Sequence, residues 1–212
     1  MTVTEPVLYV VDDDASFLKA VSRLLRAAGY EVRTFAKAEE LLAQLDETPG
    51  CVIADLQMPG VGGLELQETM TRAGHTLPVI FVSGHGDIPT TVRAMRQGAE
   101  DFLTKTAPQA ELLAAVKRAI ERDARQRAER DRVRALRRRL DLLTPREREV
   151  LRHVVRGRLN KQIAADLHIH ERTVKLHRTA ITTKLLVQSV AELTRLVQAA
   201  GELDEPPFTL PE

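Results

Sequence analysis

CVIADLQMPGVGG, residues 51–63, decides the fold. Cys51 to Ala54 is an unbroken apolar run that ends on an acid, Asp55. A short loop with Pro59, Gly60, Gly62 and Gly63 follows. Such a run reads as a strand buried on both faces of a parallel sheet, with a carboxylate at its C-terminal edge. Ligands of open α/β sheets gather at that edge. A single acid there is also an ordinary turn-former, so its company has to decide what it does.

Upstream, Val7–Val11 is a second apolar run, closed by Asp12-Asp13-Asp14. Leu18, Val21, Leu25 and Ala28 then recur at helical spacing until Gly29, and Glu31–Phe35 and Ala38–Leu45 read as a strand and a short helix. Downstream come a helix at Leu64–Arg72 and a strand at Pro78–Val82 that runs into Ser83-Gly84-His85-Gly86-Asp87. A helix on Ile88, Val92 and Met95, a strand at Asp101–Thr104 ending at Lys105, and a last helix from Leu112 onward complete the half. Five strand–helix alternations predict an α/β fold, a doubly wound (βα)5 parallel sheet covered on both faces.

In that fold Asp12, Asp13, Asp55, Ser83 and Lys105 all fall at C-terminal strand ends and line one rim. Three crowded carboxylates repel unless something positive sits among them. Mg²⁺ suits such a place, being hard, oxygen-seeking and content with a few carboxylates plus a phosphate. A serine hydroxyl and a lysine ammonium opposite suit the oxygens of a transferred phosphoryl group. The chemistry is attack by one carboxylate on phosphorus to give an acyl phosphate. Asp14 reads as the N-cap of the first helix and His85 as a loop residue.

VVDDD at 10–14, ADLQMPGVGGLEL at 54–66, FVSGHGD at 81–87 and FLTK at 102–105 resemble the receiver domain of two-component response regulators, over about 120 residues. The resemblance implies that Asp55 is the phosphate acceptor. It makes Asp12, Asp13, Asp55 and the backbone carbonyl of Gln57 the metal ligands, Ser83 and Lys105 the phosphate-reading groups, and Phe102 the aromatic whose rotamer follows Ser83. A switch needs such a two-state element biased by a local charge. One stretch departs from the pattern: Lys105 is followed by Thr106-Ala107-Pro108, where the family has Pro and then a bulky apolar residue. A trans bond is expected before Thr106, because cis would cost about 3 kcal/mol.

The whole-chain numbers bound the rest. The 212 residues suffice for one large domain or two small ones, and the lack of Trp, with five Phe and two Tyr, predicts aliphatic cores. The one cysteine, Cys51, lies inside the apolar run, so no disulfide framework exists. No segment has transmembrane length and the N-terminus carries no signal-peptide pattern, so a soluble, cytoplasmic chain without membrane partners is expected. The net charge of +1 conceals an asymmetry: residues 1–121 hold 11 Lys/Arg and 17 Asp/Glu, and residues 122–212 hold 20 and 13. A basic second half points to a polyanion.

Between Pro108 and Leu140 there is no Gly and no further Pro, and residues 117–139 carry eleven Lys/Arg against four acids. Glu121–Arg125 and Asp123–Arg127 are i,i+4 pairs with the acid first. This predicts a long charged connecting helix, with a thin stripe of Val116, Ile120, Ala124 and Ala128. The expected division is a receiver at 1–121, a linker helix at 122–141, a helical domain at 142–200 and a disordered acidic tail at 201–212.

Thr144-Pro145-Arg146-Glu147 is a capping box with Pro at the first helical position, and Val150, Leu151, Val154 and Val155 follow at helical spacing. Asn160 reads as the cap of a short helix to Leu167, His168-Ile169-His170 as a turn, Glu171–Leu185 as the next helix, and Ser189–Glu192 as a second capping box. Helix 171–185 buries Val174, Ile181 and Leu185 and turns Arg172, Lys175, Leu176, Thr179 and Thr183 outward, a surface suited to a major groove. LTPREREVL, NKQIAADL and TVKLHRTAITTKL resemble the LuxR/NarL-type helix-turn-helix. That resemblance makes Lys175, Leu176 and Thr179 base-facing and makes Lys161, His177, Arg178 and Lys184 phosphate contacts, with Arg178 a further base candidate.

Together the motifs resemble a FixJ/NarL-type response regulator. They imply a non-enzymatic transcription regulator whose Asp55 takes phosphate from a sensor histidine kinase with Mg²⁺, which then dimerises, binds duplex DNA and meets RNA polymerase. An atypical regulator working without phosphate is the runner-up, motivated by the stretch after Lys105. Two other classes fit less well. A haloacid-dehalogenase-type phosphatase would use Asp12 and Asp14, but Ser16 stands where that type wants Thr or Val. An RNA-binding output conflicts with the outward face of helix 171–185.

Overall fold

The computed structural model describes residues 5–84 and 88–201, except the side chain of Ile88. His85 and the tail from Glu202 onward lie outside the described residues, as do the expectations placed on them. The chain divides into two compact units, Met1–Arg127 and Ala128–Glu212.

In the first unit, β1 (Val7–Val11), β2 (Glu31–Phe35), β3 (Gly50–Asp55), β4 (Val79–Ser83) and β5 (Asp101–Thr104) form one parallel sheet in the order β2-β1-β3-β4-β5. Alternate residues of the central strands feed two separate cores, as the period of two dictates. Tyr9, Val52, Ala54 and Phe81 pack on α2 (Ala38–Leu42), α3 (Gly63–Arg72) and α4 (Ile88–Arg96) through Leu41, Leu66, Met70 and Ala94. Leu8, Val10, Ile53 and Val82 pack on α1 (Ala15–Ala27) and α5 (Gln109–Leu140) through Val21, Leu25, Leu112 and Val116. Each fully buried aliphatic side chain stabilises by about 1.5–3 kcal/mol, so the doubly covered strands are the firmest part of the unit.

β3 is bracketed by glycines with no room for a side chain. A Cβ on Gly50, at φ +152°, would collide with the Val7 carbonyl, and one on Gly63 would collide with the Asp55 carbonyl. Gly63 thereby lets α3 start directly over the strand end that carries Asp55. The strand is one residue longer at each end than the apolar run suggests, and α2 stops three residues earlier than expected, although Leu45 still packs on the core.

α5 differs most from the sequence expectation. Ala124 and Ala128 are exposed. The residue buried at that turn is Asp123, 1% exposed, which accepts from Gly50 N (3.0 Å) and Arg127 Nε (2.7 Å). Arg127 also donates to the carbonyls of Glu47 (2.6 Å) and Thr48 (3.0 Å), and Arg122 pairs with Glu100. An apolar stripe cannot end the packing here, because the helix meets the backbone of the loop entering β3, whose polar groups need partners. Residues expected to be linker are thus latched to the receiver fold as far as Arg127.

The second unit holds α6 (Pro145–Val155), α7 (Asn160–Asp166), α8 (Glu171–Leu185) and α9 (Val190–Ala200) around Val150, Val154, Ile163, Val174, Ile181, Leu193 and Val197. Leu140 and Leu143 complete this core, and Arg137 Nε donates to the Ala200 carbonyl at the C-terminal end of α9 (3.0 Å). The capping box at Thr144 and Glu147 forms as expected. One cap is corrected: Leu159, not Asn160, is the N-cap of α7, its N–H donating to Gln162 Oε1 (2.9 Å). Asn160 lies within the helix, its side chain accepting from Arg178.

Candidate functional sites

The rim is built at the place where the chain switches direction across the sheet. From β1 it steps outward to β2 and then returns to β3 on the other side, so the C-terminal ends of β1 and β3 open a crevice between them. Pairing of Val11 with Ala54, Asp55 with Val82 and Ser83 with Thr104 brings the strand ends level.

Asp12 is fully buried, Asp55 is 6% exposed and Asp13 faces solvent. Ligand oxygens of the three lie within 4.8 Å of one another. Lys105 Nζ stands 2.8 Å from Asp12 Oδ2, 2.9 Å from Asp12 Oδ1 and 2.9 Å from Asp55 Oδ2. Its ammonium also lies over the Phe17 ring, 4.8 Å from the centroid. Asp12 Oδ1 accepts from Asp14 N (2.8 Å), Asp55 Oδ1 from Gln57 N (3.3 Å), and Asp14 caps α1 through Ser16 N and Phe17 N.

Burial pushes the Asp12 carboxyl above its ordinary range, and the Lys105 and Asp14 hydrogen bonds only partly offset it. For Lys105 burial pulls downward, but the hydrogen bonds and charges of Asp12 and Asp55 outweigh it, so the ammonium is held charged. Three acids against one base leave negative charge uncompensated. Asp12 Oδ2 is buried and has no hydrogen bond of proper geometry, even from the nearby Lys105. All-oxygen donors with an excess of charge fit a hard divalent cation.

Ser83 closes β4, 1% exposed, and its carbonyl accepts from Lys105 N (2.9 Å). A second backbone bond, Ala107 N to the Thr104 carbonyl (3.0 Å), tightens the turn that presents Lys105, and all peptide bonds among the described residues are trans. Phe102 is half-buried on β5, packed against the α2–α4 face of the core. Phe17 had no sequence signal beyond its place in the first turn of α1. Its contact with Lys105 is made in three dimensions only.

In the second unit α8 turns Arg172, Lys175, Leu176, Thr179 and Thr183 to solvent, with Leu176 65% exposed, and buries Val174, Ile181 and Leu185. Lys161 on α7 is exposed, and His177 and Arg178 are half-buried. Two of the basic candidates face inward to protein partners. Arg178 donates to Asn160 Oδ1 (2.8 Å), and Lys184 Nζ binds Glu147 Oε2 (2.7 Å), a carboxylate only 5% exposed. Burial pushes the Glu147 carboxyl up, but Lys184 and the Thr144 groups outweigh it, and the net displacement is downward. Sequence spacing showed Glu147 closing a capping box but gave no sign of its partner thirty-seven residues on.

Residues 8–117 match the response regulator receiver domain, and residues 141–197 match the luxR family of bacterial regulatory proteins. The response regulator protein TodT of Pseudomonas putida is 42% identical over 193 residues, covering 91% of this chain and 85% of that one. The transcriptional regulatory protein FixJ of Bradyrhizobium diazoefficiens is 38% identical, covering 93% and 97%. Among solved structures, the response regulator StyR superposes with a TM-score of 0.81 at 44% identity, covering 92% and 98%. Full-length FixJ from B. japonicum superposes with 0.56 at 35% identity, covering 95% and 100%. No helix among the described residues is long and apolar enough to cross a membrane. With an acid-lined receiver rim in one unit and an outward recognition helix in the other, the chain belongs to the two-component response regulators that carry a LuxR-type helix-turn-helix output, a family of transcription regulators.

Proposed function

We propose that phosphorylation of Asp55 by a sensor histidine kinase switches the DNA binding of this regulator. An Asp55 carboxylate oxygen attacks the phosphorus of a phosphohistidine. The P–N bond breaks, the imidazole nitrogen keeps the electron pair and takes a proton, and Asp55 carries an acyl phosphate. Asp12, Asp13, Asp55 and the Gln57 carbonyl are the residues to hold Mg²⁺, which when bound neutralises charge on the transferring oxygens. Lys105, now shared between Asp12 and Asp55, moves onto a phosphoryl oxygen, and Ser83 and Phe102 follow.

Dimerisation then brings two α8 helices to two half-sites of duplex DNA, read by Arg172, Lys175, Leu176 and Thr179 with Lys161 and His177 on phosphates. Arg178 supplements them to the extent that it leaves Asn160, and Lys184 supports α8 through Glu147 rather than touching DNA. The bound regulator works with RNA polymerase in the cytoplasm, and its own chemistry is confined to gaining and losing this phosphate.

The observation that carries the proposal is the Lys105 bridge from Asp12 to Asp55 inside a cluster of three acids. Intact mass and light scattering test it, on wild type and Asp55→Asn, with and without Mg²⁺ and acetyl phosphate. One phosphate added to wild type alone, with a rise from monomer to dimer, is the expected result. No phosphate on wild type refutes it and brings forward regulation without phosphorylation.

A further inference from the structure

Beside the rim, on the α1–α5 face of the receiver unit, lies a half-open cavity of about 170 Å³. Phe17, Val21 and Leu24 from α1, Leu103 from β5, Leu112 from α5 and the small side chain of Ala107 supply its apolar lining. Lys105 also borders it, but its ammonium is engaged by Asp12 and Asp55. Thr104 and Gln109 add a polar lip, with the Thr104 hydroxyl paired to Thr106 at 3.2 Å. The lining therefore offers no uncommitted charge. Its volume is close to that of an enclosed apolar cavity, roughly 150 Å³, that takes a molecule the size of benzene; here one side is open and the lip is polar, which suits a ring carrying one polar substituent.

We infer that this cavity is a regulatory site for a small neutral single-ring molecule with one hydrogen-bonding substituent, coupled to Lys105. The ring fills the space that Ala107 leaves between α1 and α5, and the substituent reaches the Thr104–Gln109 lip. An anion gains little there, because the one cation in the lining is already held by two carboxylates.

Coupling follows from the walls. Phe17 lies under the Lys105 ammonium and lines the cavity as well. A ligand against Phe17 fixes the ring on which that ammonium rests, so the departure of Lys105 from Asp55 toward a phosphoryl oxygen changes with occupancy. Linkage makes the effect reciprocal: whatever phosphorylation does to ligand affinity, ligand does to the phosphorylation equilibrium. This coupling rests on the role proposed for Asp55, whereas the binding does not.

The test uses the full chain with benzyl alcohol as probe and benzoate as the charged control, read by backbone amide shifts at Phe17, Val21 and Leu103. Saturable shifts with benzyl alcohol, at least tenfold weaker binding of benzoate, and loss of binding in both Ala107→Leu and Leu24→Phe are expected. Uptake of phosphate from acetyl phosphate by wild type should change at least twofold at saturating probe, and uptake by Ala107→Leu should ignore it. Absence of saturable binding, or binding that survives both filling variants, overturns the site. Binding that leaves uptake unchanged overturns the coupling. Failure of wild type to take phosphate without probe counts against the role of Asp55, and the shift titration still decides the site. If the probe does not bind and Ala107→Leu slows transfer only from a kinase, the cavity receives a partner's side chain and the inference is wrong.

Discussion

The receiver rim and the base of the recognition helix both bury carboxylates beside a lysine, and the two arrangements behave in opposite ways. In the DNA-binding unit one acid, Glu147, meets one ammonium, Lys184, and also accepts from Thr144 N (2.7 Å). Its needs are met and its carboxyl is held below the ordinary range. At the rim one ammonium serves two acids with a third beside them, and burial holds Asp12 above its range. A buried charge with a full set of partners holds helices together, whereas a surplus of buried charge is stability given up for chemistry.

The largest expected effect separates the two carboxylate classes outright. Asp55→Asn abolishes phosphate uptake from acetyl phosphate, read by intact mass, while melting shows the receiver unit as stable as wild type or more so. Equal uptake in this variant would mean that the surplus of charge at the rim has another purpose.

Next in size is Glu147→Ala. It strands Lys184 and leaves the Thr144 N–H without its acceptor. Breaking a buried pair costs about 3–5 kcal/mol, and the partial exposure of Lys184 reduces this to about 2 kcal/mol. Calorimetry should show the loss in the DNA-binding unit alone. The pH dependence has a fixed sign. A folded carboxyl held below its unfolded value stabilises above the unfolded value, and that contribution disappears as pH falls through the folded one. Acid should therefore weaken this unit in wild type more than in Lys184→Met.

Asp12→Asn is the converse. A neutral isostere suits a place where burial disfavours the charge, so the receiver unit should melt a few degrees higher, the scale of about 1 kcal/mol in a domain of this size. Phosphate uptake should lose its dependence on Mg²⁺. A variant that melts lower would show that the Lys105 bridge outweighs the burial, and the contrast with Glu147 would fall.

The two regions were also unequally legible in the sequence. Asp12, Asp55, Ser83 and Lys105 could be placed because each ends an apolar run, and parallel strands carry their ends to one edge. The outward face of α8 could be read from helical period alone. What escaped was contact between distant segments. Asp123 read as half of a surface i,i+4 pair, yet it is buried on Gly50 N; Lys184 read as a phosphate contact, yet it holds Glu147; and Asn160 read as a cap, yet its side chain accepts from Arg178. Period and spacing report which face a residue occupies, but not which backbone or carboxylate waits on the other side.

A DNA titration sharpens the comparison further. Lys161→Ala should lower the slope of log affinity against log salt by about one, as for one phosphate contact, and Lys184→Met should leave it unchanged. A slope that falls equally in both would return Lys184 to the DNA interface.

The smallest effect concerns the end of the same helix. α8 closes on Leu186 in the left-handed region, φ 52° and ψ 45°, with its side chain 81% exposed. A non-glycine residue there costs about 1–2 kcal/mol, and glycine is the usual occupant of this cap. Leu186 recovers little of that cost by burial. Leu186→Gly adds chain entropy to the unfolded state, which offsets part of that relief, so the net gain should be about 0.5–1 kcal/mol, a melting shift confined to the DNA-binding unit. The backbone amides of Leu186 and Val187 close this cap onto the Thr183 and Thr182 carbonyls, bonds that glycine retains, so DNA affinity should stay within twofold. If the glycine variant melts lower, the exposed leucine is held by a contact outside this chain, and the end of α8 is an interface as well as a cap.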